Sequence, residues 1–356
     1  MHRLLSIAIV LISLGSVAQA QTESRAVEGD FTIRDFKFES GESLPELRLH
    51  YRTLGAPIRD GAGVVRNAVL ILHGTGGTGR AFLSEQFGGV LFRDGQLLDA
   101  KKYFIILPDG IGHGGSSKPS EGLHARFPKY NYNDMVTAQY RLVRDGLGVN
   151  HLRLVMGTSM GGMQTWVWGE MYPDFMDALM PLASLPVQIA GRNCMLRRMI
   201  IDSIRNDPEW NGGEYKTQPR GLVPAIYTLM LMTGSPLQSQ KQAPTRETAD
   251  RLFDNQVRSR LAGLDANDML YQFDASRDYD PAPRIESIRA ALIAVNSADD
   301  FVNPPELGLL EREIKRVKRG SFVLIPISDQ TRGHGTHSLP ALWKQYLGRL
   351  LDDSKP

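Results

Sequence analysis

One serine of the chain stands between two glycines, in the sequence Gly157-Thr158-Ser159-Met160-Gly161. A serine hydroxyl can attack an acyl group when a neighbouring base takes its proton. The apolar run 152–156 predicts a buried strand before this serine, and residues 162–169 predict a helix after it. Strand, G-x-S-x-G and helix together are typical of a nucleophile elbow. The alternative is a tight turn with an inert serine, and the flanking strand and helix favour the catalytic interpretation.

A nucleophilic serine needs a histidine as base and a carboxylate that orients the histidine. In enzymes with this turn the three groups follow in the order serine, acid, histidine. Two aspartates, Asp299 and Asp300, follow the predicted strand 290–295. We choose Asp300 as the acid, because it lies four residues before a proline, as in the usual loop of this fold. Asp299 is the fallback, and whichever is not catalytic is a solvated loop carboxylate or a turn cap.

Two histidines, His334 and His337, follow the last predicted strand. Glycines on both sides of His334 let its imidazole project into a crowded site, so we favour His334 as the general base over His337. His73 and His113 are predicted in loops at the same edge of the sheet. Both precede the serine, and the chain order therefore argues against them as the base.

An acyl-transfer site also needs backbone N–H groups that stabilise the negative oxygen of the transition state. The amide of Met160, which follows the nucleophile, is the first candidate. The second is the amide of Thr75, in the glycine-rich loop that follows the strand 68–72. Phosphate binding is the rival interpretation of such a loop, but the loop lacks both the G-K-[ST] ending and the G-x-G-x-x-G spacing.

Predicted strands alternate with helical segments over most of the chain, which indicates a doubly wound α/β fold. The predicted strands are Phe31 to Phe38, Leu47 to Leu54, Ala68 to Leu72, Tyr103 to Leu107, Leu152 to Met156, Asp177 to Leu182, Ala290 to Val295 and Phe322 to Ile327. Residues 187–283 show only amphipathic helical stretches and predict a cap inserted into the fold. The core then comprises residues 21–186 and 284–356, and with the serine turn this arrangement resembles the α/β-hydrolase fold with a helical cap.

Composition excludes several classes of function. The chain has 356 residues, 42% of them hydrophobic and 22% charged, with a net charge of +2. This balance gives no indication of a nucleic-acid or membrane-surface partner. The single cysteine, Cys194, excludes an internal disulfide and a cysteine-based metal cluster, and we interpret it as a packing residue. We expect no cofactor and no metal, and a small acyl compound as the partner.

The first 20 residues have the pattern of a secretory signal peptide. A short basic start precedes an apolar stretch over residues 4–17, and Ala18-Gln19-Ala20 supplies an A-x-A cleavage site. The alternative, an uncleaved membrane anchor, is disfavoured because the apolar stretch is short. The sequence has no other stretch that is long and apolar enough to span a bilayer. We therefore expect a periplasmic or secreted protein without an integral membrane segment.

The sequence resembles the homoserine O-acetyltransferase (MetX-like) branch of the α/β-hydrolases from about residue 35 onward. The motifs that carry the resemblance are Gly157 to Gln164, Tyr172-Pro173-Asp174, Asp207 to Tyr215, and Asp265 to Asp280. The resemblance implies a Ser159, Asp300 and His334 triad and a ping-pong reaction through an acyl-serine. It also implies that the cap forms a tunnel to the nucleophile and mediates a homodimer.

The predicted export sets this chain apart from the family, whose members use acetyl-CoA in the cytoplasm. Acetyl-CoA is not expected in a periplasm, so we predict an exported ester hydrolase that works through acyl-Ser159. The alternative is an acyltransferase that passes the acyl group to an alcohol such as homoserine. A non-catalytic binding protein on the same scaffold is disfavoured, because the serine, the acid and the histidine are all present in order.

Overall fold

A computed structural model describes residues 26–355. The signal peptide predicted over residues 1–20 lies outside the described residues. A single eight-stranded sheet organises the described part of the chain, in the order β1-β2-β4-β3-β5-β6-β7-β8. The strands are β1 (Val27–Lys37), β2 (Ser43–Leu54), β3 (Ala68–Leu72), β4 (Phe104–Pro108), β5 (Leu154–Thr158), β6 (Ala178–Leu182), β7 (Ala291–Ser297) and β8 (Gly320–Ile325).

The strands from β3 to β8 run parallel, and only β1 and β2 are antiparallel to their neighbours. Every residue of β3, β4, β5, β6 and β7 is buried, as expected where helices cover both faces of a parallel sheet. The carboxyl ends of β3, β5, β7 and β8 therefore lie along one edge of the sheet. Loops that leave this edge can bring together residues distant in sequence.

The described residues also form ten α-helices. They are α1 (Gly88–Leu91), α2 (Tyr132–Arg141), α3 (Met160–Met171), α4 (Gly191–Arg205), α5 (Leu222–Thr233), α6 (Pro236–Gln242), α7 (Arg246–Leu261), α8 (Ala266–Asp274), α9 (Leu309–Glu313) and α10 (Lys344–Asp353). The helix α3 is buried over nearly its whole length, which its apolar and aromatic sequence requires. Within the described residues, no helix is long and apolar enough to cross a membrane.

The helices α4 to α8 lie between β6 and β7 in the chain, within the range predicted as the cap. Polar contacts fix α8 to loops of the sheet domain. Asp268 accepts hydrogen bonds from the Ser120 amide at 2.8 Å and the Ser120 hydroxyl at 2.7 Å. Gln272 donates to the Gly112 carbonyl at 2.8 Å. These contacts hold the cap over the carboxyl edge of the sheet. The bounds of the cap, residues 187–283, stay a prediction.

The ends of several elements differ from the sequence prediction. The helix predicted over 133–147 is α-helical only to Arg141 and continues as a π-helical turn over Leu142–Gly146. The last helix, predicted from residue 339, begins at Lys344, because Pro340 opens a separate 3₁₀ turn. The strand β8 ends two residues earlier than predicted. Hydrophobic spacing locates an element but does not fix its ends, which depend on local turns and caps.

The interpretation of Cys194 as a packing residue is wrong, because this cysteine is exposed on α4. Its helix buries the side of Leu196, Ile200 and Ile204 instead. Other cap residues also leave large apolar side chains exposed: Met195, Met199, Tyr227, Leu231, Leu237 and Phe253. Of these, Tyr227 and Phe253 lie together, with 5.1 Å between their ring centroids. Dimerisation through the cap stays a prediction.

The tight packing of the serine turn against β3 gives a test of the fold. A Cβ atom at Gly161 would lie 2.0 Å from the Leu72 carbonyl oxygen. We therefore expect Gly161→Ala to lower the free energy of unfolding by at least about 1–3 kcal/mol, the range for overpacked sites. Urea denaturation followed by circular dichroism measures this change.

Gly61→Ala is the matched control, because nothing lies within 4 Å of a Cβ atom at Gly61. We expect this control to change the free energy of unfolding by no more than about 0.5 kcal/mol. Equal destabilisation by the two substitutions would contradict close packing of the serine turn against β3.

Candidate active site

Ser159 is the single residue between the end of β5 at Thr158 and the start of α3 at Met160. Its backbone has φ 55° and ψ −112°, a conformation that costs a non-glycine residue about 1–3 kcal/mol. Two backbone hydrogen bonds of 2.9 Å hold it, from the Ser159 amide to the Leu182 carbonyl and from the Met163 amide to the Ser159 carbonyl. Glycines lie two residues before and two residues after Ser159, at positions where a larger side chain would collide with the turn. A Cβ atom at Gly157 would lie 2.2 Å from the Gly161 carbonyl oxygen.

The structure brings Ser159, Asp300 and His334 together from three different loops. The Oγ atom of Ser159 lies 2.7 Å from Nε2 of His334. The Nδ1 atom of the same imidazole lies 2.9 and 3.0 Å from the two carboxylate oxygens of Asp300. This arrangement fixes the tautomer, because Nδ1–H donates to the carboxylate and leaves Nε2 free to accept the serine proton. Of the alternatives left open by the sequence, the structure joins these three.

Asp300 is buried, and its carboxylate is surrounded by donors. Besides the imidazole, it accepts hydrogen bonds from the Val302 amide at 2.8 Å and from the Asn303 side chain at 3.0 Å. Burial by itself raises the pKa of Asp300, but the charge of His334 and these hydrogen bonds outweigh it and hold the pKa below its ordinary value. Asp300 therefore stays ionised at neutral pH and can stabilise an imidazolium on His334.

Asp299, the fallback acid, is also buried but points elsewhere. Its carboxylate accepts the Ser297 hydroxyl at 2.5 Å and the Gly333 amide at 2.9 Å. Because Gly333 precedes His334, Asp299 ties the loop after β7 to the loop that carries the histidine. Of the two alternatives given for the aspartate that is not catalytic, the solvated loop carboxylate does not describe Asp299, because Asp299 is 7% exposed.

The other histidines near the site are held in their neutral forms. The ring of His337 packs against His334 with 5.3 Å between centroids, and its Nδ1 has no hydrogen-bond partner among residues 26–355. Burial, helped by the charge of His334, lowers the pKa of His337 to about 3. Burial likewise lowers the pKa of His113 to about 3 and lowers that of His73. Within the described residues, none of the three contacts Ser159 Oγ by a hydrogen bond.

Thr75, in the loop after β3, lines the same cavity as the serine. A Cβ atom at Gly74 would lie 3.3 Å from Cβ of Ser159, so the loop passes close to the serine at this glycine. The imidazole of His73 fixes the loop: Nδ1–H donates to the Gly74 carbonyl at 2.8 Å, and Nε2 accepts the Gly110 amide at 2.9 Å. In the described part of the chain nothing accepts a hydrogen bond from the Thr75 amide. Met160 starts α3, so its amide is at the positive end of that helix.

Ser159 and His334 open into a cavity of about 580 Å³ beneath the cap. The glycine-rich loop lines one side, and cap residues Leu229, Met232 and Phe273 line another. Two arginines, Arg197 and Arg260, also belong to this lining, and sequence reasoning missed Arg260. The available signal was the position of Arg260 on the half-buried face of α7, which it shares with Leu252, Gln256 and Leu261.

The two arginines differ in their bonding. Arg197 donates to the Asn193 side chain and to the Ser276 hydroxyl, each at 2.9 Å. The guanidinium of Arg260 has no hydrogen bond or ion pair to any residue from 26 to 355, and burial lowers its pKa below the ordinary value. No residue described in the lining is an aspartate or glutamate. The cavity therefore has an excess of positive charge that can pair with an anionic ligand.

The sheet order, the serine turn and the position of the histidine loop are those of an α/β-hydrolase. The family model of the alpha/beta hydrolase fold matches residues 67–276, which is more than half of the chain. The chain therefore belongs to the α/β-hydrolase family, and the predicted fold class is confirmed.

Similar proteins define the branch more narrowly. The chain is 32% identical over 282 residues to a probable acyltransferase of Methanothermobacter thermautotrophicus, covering 78% of this chain and 84% of the relative. It is also 32% identical over 322 residues to a homoserine O-acetyltransferase of Haloferax prahovense, covering 77% and 75% of the two chains. An acetylester hydrolase of Corynebacterium glutamicum shares the fold, with a TM-score of 0.78, 20% identity and 92% and 96% coverage.

These matches confirm the predicted resemblance to the homoserine O-acetyltransferase-like branch. They do not test the roles of individual site residues or the predicted export. Proteins named as acyltransferases and as ester hydrolases share this fold. The fold alone therefore leaves the acceptor of the acyl group open.

The two neighbouring aspartates give the sharpest test of the site. We expect Asp300→Asn to lower kcat about 10⁴-fold, because an amide opposite Nδ1 favours the wrong imidazole tautomer. We expect Asp299→Asn to lower kcat far less, because its remaining carbonyl oxygen can still accept the Gly333 amide. Hydrolysis of p-nitrophenyl acetate by both variants measures the difference, with thermal unfolding as the control for folding. The reverse order of the two effects would make Asp299 the acid.

Proposed function

We propose that the protein is a serine acyltransferase that forms acyl-Ser159 and passes the acyl group to the hydroxyl of a small acceptor. The contact between Ser159 Oγ and His334 Nε2, 2.7 Å long and open to the cavity, carries this proposal. The names of the relatives that are 32% identical support transfer over the hydrolysis expected from the sequence. Their coverage of 75–84% of the relatives extends this support to most of the protein.

In the first half of the reaction, Ser159 Oγ bonds to the acyl carbon of a thioester or ester while His334 Nε2 takes the serine proton. The amides of Thr75 and Met160 hold the resulting oxyanion. When the tetrahedral intermediate collapses, the bond to the leaving sulfur or oxygen breaks. The leaving group takes the proton from His334, and acyl-Ser159 remains.

The second half repeats the same steps with the acceptor. The acceptor hydroxyl gives its proton to His334, and its oxygen bonds to the acyl carbon. Collapse of the intermediate breaks the bond to Ser159 Oγ, which recovers the proton. Asp300 keeps the imidazole in one orientation throughout and stabilises its positive charge in both halves.

The guanidinium of Arg260 favours an acyl acceptor or an acyl donor that carries a negative charge. Its guanidinium lines the cavity with no partner in the described residues, and an unpaired charge that is partly removed from water is unfavourable. A carboxylate or phosphate of the substrate would supply the missing partner through charge-assisted hydrogen bonds. Homoserine, named for the second relative, carries such a carboxylate.

Ester hydrolysis, with water as the acceptor, is the second candidate. The export pattern of the first 20 residues favours it, because a periplasmic or secreted enzyme would not meet acetyl-CoA. The same acyl-Ser159 forms in both reactions. Only the ability of the cavity to bind an acceptor and exclude water separates them.

Product analysis of the full chain tests the proposed function. We expect acetyl-CoA to release its thiol only when L-homoserine is present, with O-acetylhomoserine as the product, and Ser159→Ala to abolish both by at least about 10⁴-fold. Chromatography and mass spectrometry of the products measure this. If a short ester gives free acid whether or not homoserine is present, and acetyl-CoA stays intact, the protein is a hydrolase.

The role of Arg260 has a test of its own. We expect Arg260→Gln to raise the KM for a carboxylate-bearing acceptor about 10- to 100-fold, as for loss of a hydrogen bond between charged groups. The rate with neutral p-nitrophenyl acetate should stay within a few-fold. Initial rates over a range of acceptor concentrations give both values.

Arg258→Gln is the matched control, because Arg258 is exposed on the same helix. We expect it to leave both rates unchanged. Equal losses in the two variants, or an equal loss on the neutral ester, would show that Arg260 does not recognise a charge.

A further inference from the structure

A second cavity of about 350 Å³ lies beside the catalytic one, within the range of small-molecule sites. Its walls are mostly apolar and include Met163, Leu185, Val187, Ile189 and Tyr279. The two charged residues of its described lining, Arg192 and Glu306, are both exposed, so their charges lie at its mouth. The interior therefore suits an apolar group.

Val302 separates the two cavities. It is the one residue in the described part of the chain that lines both of them, and it is 5% exposed. The catalytic cavity, which Ser159 and His334 line, is on one side of Val302, and the second, apolar cavity is on the other side. The wall at Val302 is therefore where the two cavities meet, and this wall is called the partition.

The backbone that carries Val302 is fixed by contacts that do not involve its side chain. The Val302 amide donates to Asp300 at 2.8 Å, and the Asn193 side chain donates to the Val302 carbonyl at 3.4 Å. Asn303 donates to the Ala183 carbonyl at 2.8 Å and to Asp300 at 3.0 Å. A shorter side chain at this position would leave these bonds intact, so the partition would open without moving the acid.

We propose that Val302 determines acyl-chain specificity: its side chain closes the second cavity and limits acyl-Ser159 to short acyl groups. An acyl chain bound to Ser159 that is longer than a few carbons would have to pass the position that Val302 occupies. The second cavity is the apolar space that such a chain would enter if the valine were smaller. This inference rests on the proposed acyl-Ser159 but not on the identity of the acceptor.

Chain-length profiles test the proposal. The values of kcat/KM are measured with p-nitrophenyl esters from acetyl to dodecanoyl, for the full chain and for Val302→Ala. We expect the octanoyl-to-acetyl ratio to rise about 10-fold or more in the variant, the lower limit for adding room for methylene groups in an apolar pocket. The ratio is taken within each variant, so a change in rate that is common to both esters cancels.

Three further variants separate the partition from a general loss of packing. Val302→Thr keeps the branched shape and should keep the original profile. Val187→Ala enlarges the second cavity without opening it and should also keep the profile. In Val302→Ala, the added substitution Ile189→Phe, at a half-buried residue of the lining, should refill the second cavity and restore the preference for short chains.

The outcomes distinguish this proposal from the proposed function. If Val302→Ala cleaves the acetyl ester normally and its octanoyl-to-acetyl ratio does not rise, Val302 is not the partition, while the acyl-serine chemistry stands. If the unaltered protein forms no acyl-serine with any ester or thioester, the proposed function itself fails. Should Val302→Ala not fold, Val302→Leu tests the same point in reverse. A butanoyl-to-acetyl ratio that falls in that variant supports the partition, and an unchanged ratio overturns it.

Discussion

A buried carboxylate at the end of the parallel sheet sets the geometry of the site. Asp300 is almost completely removed from water, and an ionised group there is stable only if donors surround it. His334, the Val302 amide and the Asn303 side chain provide those donors. The same contacts that keep the carboxylate charged also fix the imidazole that touches Ser159. The contacts that stabilise the negative charge of Asp300 therefore also orient the imidazole of His334.

The neighbouring carboxylate of Asp299 performs a different task with the same chemistry. By accepting the Gly333 amide, it holds the histidine loop against the loop after β7. The cap also meets this region: a Cβ atom at Gly333 would lie 2.8 Å from the Gly234 carbonyl oxygen, between α5 and α6. Ser235 lies 3.5 Å from the Asp299 carboxylate. The position of the histidine thus depends on the sheet and on the cap together.

The cap also gives the cavity its chemical character. The sheet and its loops supply the reacting groups, which are common to transfer and hydrolysis. Leu229, Met232, Phe273 and Arg260 come from cap helices and supply an apolar surface with an unpaired positive charge. Binding of the acceptor and of the acyl chain therefore depends on the cap and on the loop after β7. The acyl-transfer chemistry itself depends on the carboxyl edge of the sheet.

The sequence by itself determined the central strands and the serine turn, because both are local patterns. The run Ala68 to Leu72 has no polar residue, and such a run is stable only as a strand covered on both faces. The glycines around Ser159 are required by contacts within a few residues and with the adjacent strand. Chain order also reduced the bases to His334 and His337, which both follow the last strand.

Only the tertiary structure decided between residues with similar local surroundings. Asp299 and Asp300 are adjacent in sequence, and their roles differ because the loop turns one carboxylate toward the Gly333 amide and the other toward the His334 ring. The importance of Arg260 and Val302 depends on what lies opposite them across a cavity, which no local pattern contains. A sequence specifies such contacts only through the packing of the whole chain, since their partners lie tens of residues or more away.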